Sequence, residues 1–548
     1  MPIVTIDGRQ IEVEQGVSVI QAADRLGVEI PRFCYHPDLR PEGNCRMCLV
    51  EVDGFPKPVV ACATPVVDGM VVKTPHTSPV ASRAARGVLE FLLVNHPLDC
   101  PICDQAGECS LQDFYMHPDY GQHRSHVDPE EKIHKRKRVN LGPRIVLDAE
   151  RCVMCSRCVR FSEEVSGYAE LQFVRRGNHV ELTAFEDRVL EDPYAGNLAD
   201  VCPVGALTSR DFRFKRRVWH LSHTDSVCAG CSTGCNVRID HFDGHIERVV
   251  PRRNPEVNRS WICDEGRLSY QSLTSIPRLT HPREGDRRLL WAEAIALAHE
   301  TLHSAGAVTG LPLAALASAS ATNESLWLFR QYVEVAFPQH LLEFRLGREM
   351  ETVAEREDKL LRRADKHPNT MGALHLGYGR GLGLKGLLDL AEKGELSRLL
   401  MLYYPPLVGQ EAEETKERIA GLLARVPESV VLTTHELPYL TGAKLLLPVA
   451  AWSEEEGTYT NHQGVTQHVG KAISLREAVR PATDILGDLW QVATAARRET
   501  APERLFREIA MSVPAFRGLS YAGLESRAAT VYPPEGRMHY GQEGFAGR

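Results

Sequence analysis

Cysteine is missing from the carboxy-terminal half of this 548-residue chain, because all fifteen cysteines lie before Asp264. Ligation of a metal by thiolates is therefore excluded in that half. Long apolar runs are missing too, since no stretch approaches the ~20 apolar residues of a membrane-spanning helix. The first residues also lack the basic stretch and apolar core of a secretory signal. We therefore expect the protein to reach a membrane only through partners.

Further absences argue against particular classes of function. The formal net charge of −8 argues against a nucleic-acid-binding protein, and the basic run at residues 134–138 fits a solvated face or a subunit contact. No phosphate-binding loop of the Walker or GxGxxG type stands at a strand–helix junction. With 43 % hydrophobic and 25 % charged residues the chain has the composition of a globular protein. Its length predicts about three to five domains.

The fifteen cysteines and one histidine sort without remainder into four sets of four. Four tetrads match the ligands of four iron–sulfur clusters. Disulfides are disfavoured, because a chain without a secretory signal is expected in a reducing compartment. Zinc is the stronger alternative, since C-x2-C pairs also suit tetrahedral zinc. The sets are Cys34, Cys45, Cys48 and Cys62; His96, Cys100, Cys103 and Cys109; Cys152, Cys155, Cys158 and Cys202; and Cys228, Cys231, Cys235 and Cys263.

The first set lies in a segment with the pattern of a small ferredoxin. Residues 3–6 and 11–13 alternate like two strands around an Asp7-Gly8 turn, and residues 17–26 have helical spacing. This opening resembles the β-grasp ferredoxins. The spacing C-x10-C-x2-C-x13-C departs from that of plant ferredoxins. It resembles instead the [2Fe–2S] module at the front of the large electron-transfer subunit of respiratory NADH dehydrogenase and of related hydrogenases and formate dehydrogenases.

The second set has the spacing H-x3-C-x2-C-x5-C and follows a helix-like stretch at residues 83–94. Three cysteines need a fourth ligand, and His96 stands where the one-histidine, three-cysteine [4Fe–4S] motif of the same enzyme group has its histidine. His117 lies nearby in sequence but lacks this spacing. An imidazole in place of a thiolate makes a cluster less negative, so we expect a raised reduction potential.

The third set combines C-x2-C-x2-C with a distant Cys202-Pro203, which is the bacterial ferredoxin pattern for a [4Fe–4S] cluster. This run favours iron–sulfur over zinc. Only one such run is present, so we expect Cys202 to return to its own cluster. Residues 168–183, inserted between Cys158 and Cys202, have the β-branched and apolar content of strands.

The fourth set, C-x2-C-x3-C-x27-C, is of another kind. With residues 254–259 and 263–267 it resembles the [4Fe–4S] domain that opens molybdopterin oxidoreductases. In members of that family that carry molybdenum, the second residue after the last cysteine is commonly a lysine leading to the pterin. Here it is Glu265, which places the electron path to a pterin in doubt.

The rest of the chain resembles the α/β body of the molybdopterin family, but it lacks the cysteine that can bind the metal there. Residues 313–319, 399–404 and 430–434 have the pattern of buried strands, and Thr322 caps a helix that runs to Phe337. No cysteine is present here to bind molybdenum, and the domain that helps enclose a pterin is expected to be absent. We therefore expect no molybdopterin. The molybdopterin family is also resembled by residues 446–448 and 456–461, by Gly464 and by Gln467.

Taken together, these motifs resemble the family of large iron–sulfur subunits of respiratory complex I, called 75 kDa-type subunits or, in bacteria, G subunits. The resemblance implies an electron-transfer subunit of NADH:quinone oxidoreductase that is coupled to proton translocation in the whole complex and has no substrate site of its own. It implies one [2Fe–2S] and three [4Fe–4S] clusters, with the fourth set off the main route. The partners would be the NADH/FMN-binding subunit and the quinone-side iron–sulfur subunits, at the cytoplasmic face of the bacterial inner membrane.

Two alternatives belong to other classes. A molybdopterin-dependent formate dehydrogenase-like catalytic subunit would use the same modules and would contain molybdenum. An iron-hydrogenase would need further cysteines for its active-site cluster, and none follow Cys263.

The predicted fold class is multidomain α/β and α+β. We expect a β-grasp [2Fe–2S] domain, then one-His/three-Cys and ferredoxin-like [4Fe–4S] domains, a molybdopterin-oxidoreductase-type [4Fe–4S] domain and an α/β body. The predicted domains are residues 1–78, 79–118, 119–216, 217–275 and 276–548.

Overall fold

The structure is a computed structural model that describes residues 1–121, 131–185, 188–344, 357–379, 381–408 and 412–529. These residues form two compact units, with the boundary between Leu221 and Ser222. The boundary lies close to the predicted start of the fourth module at residue 217. The finer division into five domains remains a prediction.

In the described part of the chain, no helix is both long enough and apolar enough to cross a membrane.

The first unit opens with a five-stranded mixed sheet in the order β2-β1-β5-β3-β4. β1 pairs antiparallel with β2 and parallel with β5. One helix, α1 (Val19–Leu26), follows β2 and ends at Gly27, whose φ of 65° is the left-handed conformation that favours glycine. Buried residues of α1 and of alternate strand positions form one core. The strands are β1 (Ile3–Ile6), β2 (Arg9–Glu12), β3 (Leu49–Val52), β4 (Val59–Val60) and β5 (Met70–Lys73).

Two helices flank the second set of candidate ligands. α2 (Pro79–Asn95) begins after Ser78, whose side chain accepts hydrogen bonds from the N–H groups of Val80 and Ala81. α3 (Ser110–Met116) follows. The predicted helix at residues 83–94 is therefore confirmed.

The last part of the first unit is built of short elements around the third set. β10, β7 and β6 form a three-stranded antiparallel sheet, and β8 pairs with β9 inside the predicted strand region. These elements are β6 (Val139–Asn140), β7 (Ile145–Leu147), α4 (Arg157–Arg160), β8 (Leu171–Val174), β9 (Glu181–Ala184), α5 (Asn197–Val201) and β10 (Leu207–Ser209).

The second unit opens with an antiparallel three-stranded sheet, in the order β11-β12-β13, that flanks the fourth set. Two short helices lead from it into the body. These elements are β11 (Ser222–Val227), β12 (Asn236–Phe242), β13 (His245–Pro251), α6 (Asp264–Leu268) and α7 (Ser272–Ser275).

The body contains a seven-stranded sheet in the order β15-β14-β20-β19-β18-β16-β17. Five neighbouring strands of this sheet are parallel, namely β20, β19, β18, β16 and β17. All six residues of β18 are buried, as expected for a parallel strand covered on both faces. The predicted buried strands are confirmed. The strands are β14 (Arg283–Glu284), β15 (Arg287–Arg288), β16 (Leu313–Ala317), β17 (His340–Glu343), β18 (Arg398–Tyr403), β19 (Glu428–Thr433) and β20 (Leu445–Pro448).

Helices cover both faces of this sheet. Side chains of β16 accordingly alternate between two buried cores, one on each face. α8, α9, α13, α14 and α15 contribute to one core, and α11 and α12 to the other. Thr322 caps α9, as predicted. The remaining elements are α8 (Trp291–Thr309), α9 (Asn323–Ala336), α10 (Thr370–His375), α11 (Gly383–Glu392), α12 (Glu413–Arg425), β21 (Gly457–Thr460), β22 (Thr466–Val469), α13 (Ala482–Thr494), α14 (Pro502–Ser512) and α15 (Tyr521–Ala529).

Candidate iron–sulfur centres

The four cysteines of the first set converge in the loops beside β3 and β4. The backbone N–H of Cys34 lies 3.4 Å from Sγ of Cys45. Side-chain hydrogen bonds with Cys45 and Cys62 lower the pKa of the Cys34 thiol, and a hydrogen bond with Cys62 lowers that of Cys48. The same hydrogen bonds raise the pKa of Cys45 and of Cys62, so the four thiols lie close enough to one another to share a metal centre. The set therefore fits a [2Fe–2S] cluster.

The second set is arranged around the ends of α2 and α3. His96 immediately follows α2 as its C-cap residue, and Cys109 immediately precedes α3. Burial, followed by the charges of Arg151 and Lys132, lowers the pKa of His96 to about 4, so its imidazole is neutral, as a metal ligand must be. Burial raises the pKa of the Cys103 thiol, against the lowering effect of the Arg151 charge, and raises that of Cys109 to about 12. The ligand role of His96 remains a prediction that this arrangement supports.

Buried cations surround this second set. The Arg151 side chain is 4 % exposed and pairs with Asp99 at 2.9 Å and with Asp148 at 3.3 Å. Nζ of Lys132 donates to the carbonyls of Leu93 and Val94 in the last turn of α2. Such charges favour the reduced state of a nearby cluster.

The third set lines a cavity with mostly apolar walls. All four thiols face it, and burial raises the pKa of Cys152 to about 12 and that of Cys155 to about 11. The residues on either side of Cys155, Met154 and Ser156, adopt positive φ angles of 52° and 63°. These angles curl the loop so that successive cysteines face one centre. The cavity walls are Val153, Ser156, Arg157, Phe173, Leu182, Pro203, Val204, Ala206 and Leu207.

The second and third sets touch through a glycine. A Cβ atom added to Gly205 would lie 2.2 Å from Sγ of Cys103, which is far inside van der Waals contact. The backbone N–H of Ser110 donates to the carbonyl of Pro203 at 3.0 Å in the same region. Gly205 follows Cys202 closely in sequence, so the absence of a side chain there lets the two ligand loops approach each other.

We expect Gly205→Ala to displace Cys103 and to prevent assembly of the second cluster, because a cluster ligand cannot move away without loss of its iron bond. Iron analysis of anaerobically purified protein should show a loss of about four iron atoms per chain. The spectroscopic signals of the first and fourth clusters should persist. Gly87→Ala is the control, since a Cβ there meets open space on α2 and alanine favours a helix by ~1 kcal/mol. Full iron content in Gly205→Ala would contradict the close packing of the two loops.

The fourth set lies in the second unit, and all four of its cysteines are buried. The N–H of Cys228 donates to the carbonyl of Cys235 at 2.8 Å, and that of Gly266 lies 3.4 Å from Sγ of Cys263. A Cβ at Gly266 would lie 2.9 Å from Sγ of Cys228, so this glycine allows the two thiols to approach each other.

The body holds the loop of the fourth set through residues that the sequence had associated with the molybdopterin family. Nδ2 of Asn461 donates to the carbonyl of Thr233 at 3.1 Å, and Nε2 of Gln467 donates to that of Gly234 at 2.9 Å. The N–H of His462 donates to the carbonyl of Ser232 at 2.8 Å. The motif residues Asn461 and Gln467, with the neighbouring His462, therefore fix the loop of the fourth set.

Glu265 is neutralised by two cations from the body. Its carboxylate lies 3.1 Å from Arg362 and 3.5 Å from Lys366. The charge of Lys366 also lowers the pKa of Cys228, although burial dominates and raises that pKa to about 12. A lysine thus lies near the fourth set, but it comes from a distant part of the chain.

Buried polar side chains stand on the segments that follow β16 and β18, whose carboxyl ends form the edge at which open α/β sheets bind ligands. Glu324 accepts hydrogen bonds from the Thr458 N–H and hydroxyl at 2.9 Å each and from the Tyr521 hydroxyl at 3.0 Å. Burial raises the pKa of Glu324 to about 7 and that of Glu455 to about 8. The hydroxyl of Tyr404 lies 3.5 Å from Glu455. These buried polar groups therefore find hydrogen-bond partners within the chain.

Sequence reasoning missed several cations beside the candidate ligands, namely Arg151, Arg157, Arg160, Arg217 and Lys366. A signal was present for some of them, because Arg157 lies inside the C-x2-C-x2-C run and Arg160 follows it. No local signal marks Lys366, which is brought to the fourth set only by folding.

Four family models match successive parts of the chain. Residues 3–77 match the 2Fe-2S iron-sulfur cluster binding domain, and residues 86–124 match the NADH-ubiquinone oxidoreductase-G iron-sulfur binding region. Residues 142–208 match the ferredoxin-like domain of NADH-quinone oxidoreductase subunit 3, and residues 221–275 match the molybdopterin oxidoreductase Fe4S4 domain. The predicted fold class is confirmed.

Curated relatives extend the likeness over much of the chain. The G subunit of NADH-quinone oxidoreductase from Streptomyces coelicolor is 42 % identical over 346 residues, which cover 62 % of this chain and 40 % of that protein. The corresponding protein of Rickettsia bellii is 41 % identical over 334 residues, covering 60 % and 48 %. The 75 kDa subunit of NADH-ubiquinone oxidoreductase from Reclinomonas americana is 46 % identical over 283 residues, covering 51 % and 39 %. The chain spans less than half the length of each of these relatives.

By these matches the chain contains a 2Fe-2S domain and 4Fe-4S domains, and it is similar to iron–sulfur oxidoreductase subunits. Within this class the predicted resemblance to the G subunit of NADH-quinone oxidoreductase, the 75 kDa-type iron–sulfur subunit, is confirmed.

Proposed function

We propose that the chain is an electron-transfer subunit of a proton-translocating NADH:quinone oxidoreductase. It would receive electrons from an NADH/FMN-binding subunit and pass them toward quinone-side iron–sulfur subunits, at the cytoplasmic face of a bacterial inner membrane. The sixteen residues of the four sets would hold one [2Fe–2S] and three [4Fe–4S] clusters, which supply one-electron chemistry. The protein's own part is to fix the clusters in place and to tune their potentials.

One observation carries this proposal: cysteines of the first three sets share a single hydrophobic core. Cys34 and Cys45 of the first set, Cys109 of the second, and Cys155 and Cys202 of the third belong to it or pack against it. Closely spaced clusters in a water-poor core are what an electron relay needs, because water would have to reorganise around each change of charge.

The third set supports a middle position in the relay, since its segment contacts both others. Gly205 adjoins Cys103 of the second set, and Nδ2 of Asn44, next to Cys45 of the first set, donates to the carbonyl of Met154 at 3.4 Å. We therefore propose the order first, third, second along the path. The fourth set, held by the body, is assigned a structural role.

The molybdopterin-dependent alternative shares the match of residues 221–275 to the molybdopterin oxidoreductase Fe4S4 domain, but the surroundings of Glu265 argue against it. Glu265 is paired with Arg362 and Lys366, and the buried Glu324 and Glu455 hydrogen-bond with side chains and backbone of the chain itself. We propose that the body binds no molybdopterin and acts as a scaffold.

Metal analysis tests the cofactor content. Anaerobically purified chain is expected to contain about 14 iron atoms with matching acid-labile sulfide, since one [2Fe–2S] and three [4Fe–4S] clusters need that number. Molybdenum, tungsten and pterin should be absent. Zinc in place of iron, with little sulfide, would refute the cluster assignment, and stoichiometric pterin would restore the molybdoenzyme alternative.

Reconstitution tests the function itself. NADH should reduce the clusters only when the flavin-carrying subunit from the same organism is added, because the chain has no proposed nucleotide site of its own. Formate should reduce them in neither case. Reduction by NADH without the flavin subunit would show a substrate site in this chain and would overturn the proposal.

A further inference from the structure

A buried arginine stands between the first and third sets. Arg160 ends α4, directly after the C-x2-C-x2-C run, and is only 4 % exposed. A guanidinium keeps its charge at any physiological pH, so a positive charge is fixed at this position.

Its hydrogen bonds reach ligand residues of both sets. One nitrogen, Nη2, donates to the carbonyl of Cys34 and lies 3.5 Å from the carbonyl of Cys155. The other terminal nitrogen donates to the carbonyl of Arg40, and Nε donates to the hydroxyl of Ser156 at 3.2 Å. A single charged group therefore bridges the backbone of two proposed cluster ligands.

The charge is only weakly compensated. In the described part of the chain, the carboxylate paired with Arg160 is that of Glu42, at 3.9 Å, and the Glu42 side chain is 45 % exposed. Glu164, which is nearby, is held by Arg40 through bonds of 2.9 and 3.0 Å. Water screens an exposed carboxylate, whereas the charge of a buried guanidinium acts on its surroundings at low dielectric.

We propose that Arg160 is a shared positioning residue that sets the reduction potentials of the first and third clusters together. Each cluster gains one negative charge on reduction, and a fixed positive charge near both favours the reduced form of both. The inference rests on the proposed function, because it needs a cluster in each set. It adds that the two potentials share Arg160 as a determinant, so that a single substitution there shifts them in the same direction.

Redox titration of the full chain, followed by electron paramagnetic resonance, tests the inference. In Arg160→Gln the ratio of reduced to oxidised form at a fixed applied potential is expected to fall about tenfold for both clusters, a shift of about 59 mV for one electron. Arg160→Lys keeps the charge and should restore most of both potentials. A shift of one cluster only, or of neither, with full iron content, would overturn the inference.

Arg217→Gln is the matched control. Arg217 also donates to the carbonyl of a proposed ligand, Cys103, but this residue belongs to the second set. The substitution should therefore shift the second cluster and leave the first and third unchanged. Equal shifts of the first and third clusters in Arg217→Gln would show a general effect of charge and would refute a specific role of Arg160.

Glu42→Gln tests the same inference without a change in the buried core, since the Glu42 side chain is 45 % exposed. Removal of this carboxylate should raise the potentials of the first and third clusters, opposite in sign to Arg160→Gln and smaller because of screening. A change in one cluster alone would contradict the inference. Absence of either cluster from the unmodified chain would refute the proposed function instead, so the two failures can be distinguished.

Discussion

Replacement of His96 by alanine is expected to remove the second cluster or to change its spectrum and potential. Its imidazole is neutral, because burial and the nearby Arg151 and Lys132 charges lower its pKa to about 4. Three cysteines alone leave one iron without a protein ligand. Iron content should fall by up to about four atoms per chain, while the signals of the other clusters persist.

His96→Cys gives the sharper measurement of the same ligand. A thiolate adds negative charge, so a retained cluster should have a lower potential; poor geometry would instead cause its loss. Either result should impair electron flow from NADH in the reconstituted system. The control is His117→Ala, because His117 stacks on Tyr120 at 4.1 Å between ring centroids and has no place in the ligand spacing. An unchanged spectrum and potential in His96→Ala would refute the assignment of His96.

The second large effect is expected on the stability of the body. Arg278 donates to both carboxylate oxygens of Glu454, at 3.1 and 2.6 Å, and to the carbonyl of Thr434 at 2.9 Å. The side chains are 7 % and 0 % exposed. Arg278→Ala leaves a buried carboxylate without its cation and should lower the free energy of unfolding of the second unit by about 3–5 kcal/mol.

Tryptophan fluorescence during urea unfolding can measure this change, since every tryptophan except Trp219 lies in the second unit. Arg287→Ala is the control: Arg287 pairs with Glu284 on the surface and should contribute less than about 1 kcal/mol. The double variant Arg278→Ala with Glu454→Gln should lose less than the sum of the two single losses, because no buried charge remains unpaired. A loss in Arg278→Ala as small as in the control would contradict the buried ion pair.

The surroundings of the candidate centres differ in electrostatics. The second set combines a neutral histidine with Arg151 and Lys132, whereas the first and third share Arg160. Since potentials depend on net charge and on hydrogen bonds near the cluster, the protein has separate means to adjust each step of the proposed relay. The titrations described for Arg160, Arg217 and His96 address these means one at a time.

Much of the fold followed from local sequence patterns. The β1–β2 hairpin around Asp7-Gly8, the helix α2 and the Thr322 cap of α9 all depend on residues a few positions apart. The buried strands of the body could be predicted for the same reason, since a parallel strand covered on both faces needs a continuous apolar run.

The candidate ligands were also accessible from the sequence, because cluster-binding cysteines lie at short, recognisable spacings. Their grouping into four sets remains a prediction, which the convergence of the first set and the cavity of the third set support. Neighbours that the spacing does not include, such as Gly205 beside Cys103, could not be found in this way.

The sequence by itself thus determined the class of the protein, its order of modules and its candidate ligands, because short-range spacing and hydrophobic periodicity are properties of neighbouring residues. Only the tertiary structure decided which charges stand beside those ligands. Arg160 reaches Cys34, and Lys366 reaches Glu265, across more than a hundred residues of chain in each case. An apolar pattern specifies that a face is buried but not what covers it, so these pairings follow from chain packing alone.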